Sequence, residues 1–329
     1  MTTDLQDKPA ADVAMPDADV LREKLIAIGK DPDLKDFSRQ KAVLELLKEA
    51  LAEGRQVARL ALERGTSGVE TATLLCGIQD VIIKVLYDYT TSFPYRASTE
   101  VKGEKLGIVA VGGYGRGLLA PGSDVDLLFL LPYKQTPWGE SVVEYMLYIL
   151  WDLGLKVGHA SRTVDECVKH AIEDMTIRTT LIDARYLWGD EDLFRDLMER
   201  FETDVVEGTD SLEFIDAKLK ERNVRHNRAG VSRFLVEPNI KDGKGAMRDL
   251  HTLYWIGKYV YRVDDPKELV QKGLFTSDEY RSFEEREHFF WDVRCHLHFL
   301  AGRAEERLSF DRQPEMAARL GYSDGAGQS

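Results

Sequence analysis

The sequence predicts an α+β fold in which a small mixed β-sheet core is flanked by N-terminal helices and a C-terminal helical domain. Apolar residues recur at three- and four-residue steps from Val20 to about Tyr89, which is typical of amphipathic helices. Two apolar runs, "KLGIVAVGG" and "DVDLLFLL", then follow a short turn apart, and a third, "GLKVGHASRT", follows one further helix. The pattern becomes helical again after Trp188. The sheet unit therefore lies between two helical regions.

These patterns divide the chain into four segments. The segments are a polar, acidic disordered tail (1–20), an N-terminal helical segment (21–95), a sheet core (96–190) and a helical domain (191–329). Thr276 with Glu279 forms a capping box that predicts the start of the last long helix. The final residues, "GYSDGAGQS", resemble an interdomain linker, so we expect the chain to be truncated before further domains.

The amino-acid composition disfavours two classes of binding partner, nucleic acids and membranes. The chain has 44 Lys and Arg against 57 Asp and Glu, a formal charge of −13, which disfavours nucleic acid as a partner. No run of about 18 apolar residues is present, and the N-terminus lacks the basic and apolar regions of a signal peptide. These features predict a cytoplasmic protein with no membrane partner.

A glycine-rich stretch from Val109 to Leu131, "VAVGGYGRGLLAPGSDVDLLFLL", is the strongest candidate for a functional site. A P-loop would need Lys-Ser or Lys-Thr after its glycines, and neither pair is present. A dinucleotide-binding fold would need G-x-G-x-x-G and a crossover helix, for which the segment before the next strand is too short. An EF-hand would need oxygen ligands where the sequence has Leu127 and Leu128. The three common interpretations therefore fail.

Asp124 and Asp126 stand at the start of the second apolar run. Residues two apart on a strand point to the same face, so both carboxylates should lie side by side. Two adjacent negative charges are costly unless a divalent cation neutralises them. On the alternative interpretation, Asp124 is a solvated turn residue and Asp126 a polar residue at a strand start. The pair thus predicts a metal site, with a purely structural role as the alternative.

Two motifs carry a resemblance to a known family. "GGYGRGLLAPGSDVDLLFLL" resembles the active-site motif of the DNA polymerase β-type nucleotidyltransferases, in which G-[GS] is followed about ten residues later by D-x-D. Within them, it is most similar to the uridylyltransferases that modify the PII nitrogen-signalling protein. "EPNIKDGKGAMRDLHTLYWI" resembles a second element of that family, although Ala246 stands where the family usually has glycine.

The resemblance implies transfer of UMP from UTP to a tyrosine of PII, with release of pyrophosphate. It implies that Asp124 and Asp126 are catalytic and hold Mg²⁺ or Mn²⁺. The residues expected to bind the nucleotide are Gly112, Gly113, Arg116, Ser123, Lys241 and Arg248. Family members are longer and carry an HD-type phosphohydrolase domain and two ACT domains, so this chain would correspond to the transferase half.

Several questions stay open at this level. A third carboxylate of the metal site could be Asp152, Asp165, Asp183 or none, because the third strand contains no acid. An adenylyltransferase acting on glutamine synthetase or another protein, or a non-catalytic nucleotide-binding regulatory module, would fit the same motifs. A basic run is interpreted as a solvated helix face, with a contact to triphosphate or to an acidic patch of the protein substrate as the alternative. Its members are Lys218, Lys220, Arg222, Arg225, Arg228 and Arg233.

Overall fold

The computed structural model of the protein describes residues 15–96, 104–228, 235–263 and 265–323. Its N-terminal segment forms three helices, α1 (Ala18–Lys30), α2 (Asp36–Glu63) and α3 (Gly68–Ser92). The first helix starts at Ala18, so it takes in the end of the segment 1–20 that the sequence assigned to a tail. Residues 1–14 of that segment lie outside the described residues.

The sheet has four strands, β1 (Gly107–Ala110), β2 (Val125–Leu131), β3 (Val157–Thr163) and β4 (Arg185–Gly189). Their order is β3-β2-β1-β4. β1 is antiparallel to β2 and β4, whereas β2 and β3 are parallel. The predicted small mixed sheet is therefore confirmed, together with its first three strands. The fourth strand was not predicted.

The sheet separates two apolar cores. Val125, Leu127 and Phe129 of β2 pack into the core formed with α2 and α3, whereas Leu128 and Leu130 pack into the core on the opposite face. This alternation follows the pleat of the strand. Asp126 shares its parity with Leu128, so its side chain lies on the face away from the N-terminal helices.

Helices connect the strands and cover both faces. The connecting helices are α4 (Gly112–Gly115) between β1 and β2, α5 (Pro137–Asp152) between β2 and β3, and α6 (Val164–Glu173) and α7 (Met175–Ile182) between β3 and β4. In the part of the chain that the structure describes, no helix has the length and apolar character needed to cross a bilayer.

The C-terminal region is helical, as predicted. It comprises α8 (Glu191–Arg200), a π-helical turn (Phe201–Val206), α9 (Ser211–Arg228), α10 (Met247–Tyr261), α11 (Glu268–Gln271), α12 (Ser277–Ala301), a 3₁₀ turn (Phe310–Arg312) and α13 (Gln313–Arg319). The predicted capping box of Thr276 and Glu279 starts α12. This helix packs against α3, where the amide of Gly68 donates to Asp292. Residues of the C-terminal helices face the start of β2, where the acid pair lies.

Candidate active site

The glycine-rich stretch forms a tight turn between β1 and β2. Gly112 and Gly117 adopt left-handed backbone conformations with φ of 57° and 79°, a region that favours glycine. Gly115 packs so closely on the next layer that a Cβ atom there would lie 1.8 Å from the carbonyl oxygen of Asp183. The glycines therefore allow both the sharp path of the chain and its close approach to the helical layer.

A buried polar network anchors this turn from behind. The hydroxyl of Tyr114 donates to Asp80 of α3 at 2.6 Å, and Arg185 of β4 pairs with the same carboxylate at 2.7 Å. Burial, with the neighbouring Asp80, raises the pKa of Tyr114 well above its usual value, so the phenol stays protonated and donates. The turn is thus fixed to both the N-terminal helices and the sheet.

Asp124 and Asp126 follow the turn at the start of β2. Asp124 is exposed and Asp126 is partly buried. Burial raises the pKa of Asp126, the neighbouring Asp124 raises it further, and Lys241 opposes them. Gly158 of β3 provides the space for this carboxylate, because a Cβ atom there would lie 2.3 Å from Oδ1 of Asp126. Burial and the neighbouring Asp124 thus both disfavour the charged form of Asp126.

None of the three candidate third carboxylates joins the pair. Asp152 lies exposed at the end of α5, and Asp165 of α6 forms an ion pair with Arg200 on the surface. Asp183 is buried and faces the same cleft, but its Oδ2 accepts from Arg116 at 2.6 Å and from the indole of Trp255 at 2.8 Å. Among the described residues, no group of three His, Cys, Asp or Glu side chains is arranged to hold a metal ion.

Asp124 and Asp126 line a cleft of about 1460 Å³. It lies between the end of the sheet where β2 begins and the C-terminal helices. All residues that the sequence proposed for the site line this cleft, although they come from segments more than 100 residues apart. They are Gly112, Gly113, Arg116, Ser123, Asp124, Asp126, Lys241 and Arg248. The fold therefore brings the two sequence motifs together in a single cavity.

Cations from three elements surround one indole ring in this cleft. Arg116, Lys218 and Arg248 lie 5.7, 5.2 and 5.7 Å from the ring centroid of Trp255. Arg116 also pairs with Asp183, so one side of its guanidinium is already occupied. Positively charged side chains from the end of α4, from α9 and from α10 therefore meet around Trp255.

Part of the basic run on α9 points into the cleft, which corrects its interpretation as a solvated face. Lys218 is buried, and it lines the cleft together with Arg225 and Arg228. Lys220 is exposed, and Arg233 lies outside the described residues. The spacing of the three lining residues, seven and then three apart, places them on one side of a helix, a signal that the sequence already contained.

Several cations lie close to one another at the floor of the cleft. Burial lowers the pKa of His251 well below its usual value, and Arg116, Arg248, Arg294 and Lys241 each lower it further. Burial also lowers the pKa of Lys241 itself, with Arg294 adding to the effect. Cations held close together in this way favour an anionic ligand, because the ligand neutralises their mutual repulsion.

The loop before α10 holds Lys241 and Arg248 in place. The side chain of Asn239 accepts from the amides of Lys241 at 2.9 Å and Asp242 at 2.6 Å. Asp249 accepts from the Gly245 amide at 2.7 Å and from Arg225 at 2.6 Å. Ala246, which replaces a glycine of the family motif, has φ of −87°, so the turn does not require glycine there.

The donor set suits a hard divalent cation. Mg²⁺ and Mn²⁺ prefer carboxylate oxygens, and Mg²⁺ commonly uses one or two carboxylates and completes its shell with water and substrate phosphate. Asp124 and Asp126 supply two carboxylates beside a cavity that is otherwise rich in Lys and Arg. The residues present therefore fit a metal ion that is shared with a phosphorylated ligand.

Comparisons with known proteins agree with the two motifs. The family model described as GlnD PII-uridylyltransferase matches residues 213–329, and that of the nucleotidyltransferase domain matches residues 96–187. The bifunctional uridylyltransferase/uridylyl-removing enzyme of Phenylobacterium zucineum (strain HLK1) is 54% identical over 304 residues, which cover 92% of this chain and 32% of that protein. The enzymes of the same name from Bradyrhizobium sp. (strain BTAi1) and Bradyrhizobium diazoefficiens are each 56% identical over 286 residues, or 87% of this chain and 31% of theirs. The chain thus spans about a third of the length of these relatives.

Proposed function

The chain belongs to the family of bifunctional uridylyltransferase/uridylyl-removing enzymes and contains a nucleotidyltransferase domain, and from this premise we propose that it catalyses the transferase reaction. In the proposed reaction, UMP passes from UTP to a tyrosine hydroxyl of the PII signalling protein in the cytoplasm. The tyrosine oxygen forms a bond to the α-phosphorus, the bond from that phosphorus to the bridging oxygen breaks, and pyrophosphate leaves. The hydroxyl proton is lost to solvent.

One observation carries the proposal: the acid pair and a cluster of cations share one cleft. Eight Lys and Arg side chains line it against seven carboxylates, whereas acids outnumber Lys and Arg by 57 to 44 in the whole chain. A nucleoside triphosphate needs both features, because its phosphates attract cations and carboxylates would hold the metal ion that accompanies them.

The residues of the cleft have different roles in the proposed reaction. Asp124 and Asp126 hold Mg²⁺ or Mn²⁺, which when bound supplies Lewis-acid stabilisation of the charge that develops at the α-phosphate. Lys241 and Arg248 bind the triphosphate and compensate the charge of the departing pyrophosphate. Gly112 and Gly113 leave the turn open for the close approach of phosphate, and Ser123 offers a hydroxyl as a donor.

The test is a transfer assay with the 329-residue chain, UTP labelled at the α-phosphate, Mg²⁺ or Mn²⁺, and PII with its effectors. We expect labelled PII and an equal amount of pyrophosphate, with the label on tyrosine. A parallel assay with α-labelled ATP and glutamine synthetase tests adenylyl transfer, and preferential labelling there would replace the proposal by that reaction. Nucleotide binding without pyrophosphate release would indicate a regulatory module, an outcome worth testing because the described residues place no third carboxylate beside the pair.

A further inference from the structure

The turn that precedes the acid pair, Pro121 to Ser123, is contacted by two side chains of α12, which lies about 170 residues further along the chain. We propose that His298 and Arg294 of this helix are positioning residues for the transferase reaction. They act through Gly122 and Ser123 to fix Asp124 relative to Asp126. The inference rests on the proposed function, because it assigns to these residues a role in the geometry of that metal site.

His298 holds the backbone of the turn. Its ring is almost completely buried, and its Nδ1 accepts a hydrogen bond from the Gly122 amide at 3.1 Å. Because Nδ1 is the acceptor, the proton of the neutral ring lies on Nε2, which is 3.4 Å from Oε1 of Glu306. The imidazole thus holds the backbone of the turn through Nδ1, while the Glu306 carboxylate lies close to its other ring nitrogen.

Arg294 holds the same carboxylate and reaches the next residue of the turn. Its Nε and Nη2 donate to Glu306 at 3.0 and 2.7 Å, and Nη2 lies 3.4 Å from the hydroxyl of Ser123. Burial alone would raise the pKa of Glu306, but the neighbouring His298 and the hydrogen-bonded guanidinium of Arg294 hold it at about 2. The three side chains therefore form one charged, buried unit against the turn.

The other side of the turn is closed by tight packing. A Cβ atom on Gly122 would lie 2.4 Å from the amide nitrogen of Ala304, in the segment that follows α12. The turn is therefore confined between this segment and the imidazole of His298. Any loss of the imidazole acceptor would leave the Gly122 amide without its partner in a crowded place.

We call the contacts of His298 and Arg294 with the turn the clamp. The positions of Asp124 and Asp126 depend on this clamp to different degrees. Asp126 is fixed by the sheet, since its carbonyl oxygen accepts from the Val111 amide at 3.1 Å and its strand pairs with β3. Asp124 precedes β2 and is directly joined to the clamped turn. Release of the turn should therefore displace Asp124 while Asp126 stays in place, and the spacing of the two carboxylates would change.

Two substitutions of similar size separate this role from simple packing. In His298→Asn, the side-chain oxygen can take the position of Nδ1 and accept from Gly122. In His298→Gln, the amide reaches towards the Nε2 position and the bond to Gly122 is lost. His296→Gln is the matched control, because His296 is also buried on α12 but faces a separate small cleft next to Ser67. Arg294→Lys provides a second test, since Lys keeps the charge but cannot bond Glu306 and Ser123 together.

Hydrogen exchange in the metal-free protein is the first readout. We expect the amide of Gly122 to exchange about tenfold faster in His298→Gln, with little change in His298→Asn and in His296→Gln. The second readout is transfer kinetics. His298→Gln and Arg294→Lys should lower kcat about ten- to a hundredfold and raise the Mg²⁺ concentration for half-maximal rate, with little change in KM for UTP.

Equal exchange at Gly122 in His298→Asn and His298→Gln would overturn the proposal. So would a loss of rate in His296→Gln as large as that in His298→Gln, because packing on α12 would then be sufficient to explain both. If the wild-type chain transfers no label, the proposed function fails, but the exchange of Gly122 still decides whether His298 positions the turn.

Discussion

At the scale of single residues, the position of the Asp126 carboxylate depends on the absence of a side chain at position 158. Asp126 is partly buried, and its carboxylate occupies the space that a side chain at Gly158 would fill. The glycine has an ordinary backbone conformation, so steric space is the feature that it supplies. Parallel pairing of β2 with β3 places Asp126 opposite Gly158, which links the register of the sheet to the geometry of the acid pair.

Gly158→Ala should therefore damage catalysis with little effect on folding. The new methyl group would lie 2.3 Å from Oδ1 of Asp126, so the carboxylate must rotate away from its partner. We expect kcat to fall by about a hundredfold and the requirement for Mg²⁺ to rise. Ser161→Ala is the control, because Ser161 lies on the same strand with its side chain on the opposite face. A Gly158→Ala variant with wild-type rate and Mg²⁺ response would show that Asp126 does not hold the metal as proposed.

At the scale of elements, the contact between α3 and α12 connects the two halves of the molecule. The two helices approach so closely that a Cβ atom on Gly68 would lie 2.3 Å from the amide nitrogen of Asp292. Cys295 adds a contact from its thiol to the carbonyl oxygen of Gly68 at 3.4 Å. The same α12 carries Arg294 and His298, so its seating on α3 also sets the position of the clamp on the turn.

We predict that Gly68→Ala lowers the free energy of unfolding by about 1–3 kcal/mol, because the added methyl group forces the helices apart. Gly77→Ala on the same helix is the matched control, since a methyl group at that position would have no atom within 4 Å. That change should be neutral or stabilising by up to about 1 kcal/mol. Denaturant unfolding of both variants measures the difference, and equal stabilities would refute the tight contact.

At the scale of the whole molecule, buried charge joins the segment after α12 to that helix, whose His298 and Arg294 contact the turn before the acid pair. Glu306 has a pKa of about 2 in the fold against an ordinary value of 4.5. A depressed carboxyl pKa contributes stability that is present above the unfolded value and is lost as the pH falls through the folded value. For Glu306 this interval runs from about pH 4.5 down to about 2, and the contribution is about 3 kcal/mol.

The unfolding free energy of the wild-type protein should therefore fall more steeply than that of Glu306→Gln between about pH 4.5 and 2. At neutral pH the variant should be less stable by several kcal/mol, because Arg294 is left buried without its counter-charge. Denaturant unfolding at a series of pH values gives both curves. Parallel curves would show that protonation of Glu306 is not coupled to unfolding.

Local patterns in the sequence were sufficient to predict the helical regions and three of the four strands, and they singled out Asp124 and Asp126 as candidates. The apolar steps of α3 and the same-face spacing of Asp124 and Asp126 are short-range signals. Strand β4 was not predicted because it is short and only its central residue, Leu187, is fully buried. Its partner β1 also lies more than 70 residues earlier in the chain. A strand of this kind has no alternation to detect.

The clamp on the turn could not be predicted for a related reason. His298 contacts Gly122 across 176 residues, and no spacing within α12 marks that contact. By contrast, Lys218, Arg225 and Arg228 share a helix face, and this spacing could have separated them from the exposed Lys220. Contacts that depend on how helices pack on the sheet require the structure.

The most direct test of nucleotidyl transfer at this cleft is the initial rate of label transfer from α-labelled UTP to PII by the wild-type chain, Asp124→Asn and Asp126→Asn. Each variant keeps the shape of the side chain and removes one negative charge from the proposed metal site. We expect each to retain the fold and to lose about two to three orders of magnitude in rate, because the loss falls on stabilisation of the transition state. Wild-type turnover in either folded variant would contradict the assignment of the acid pair.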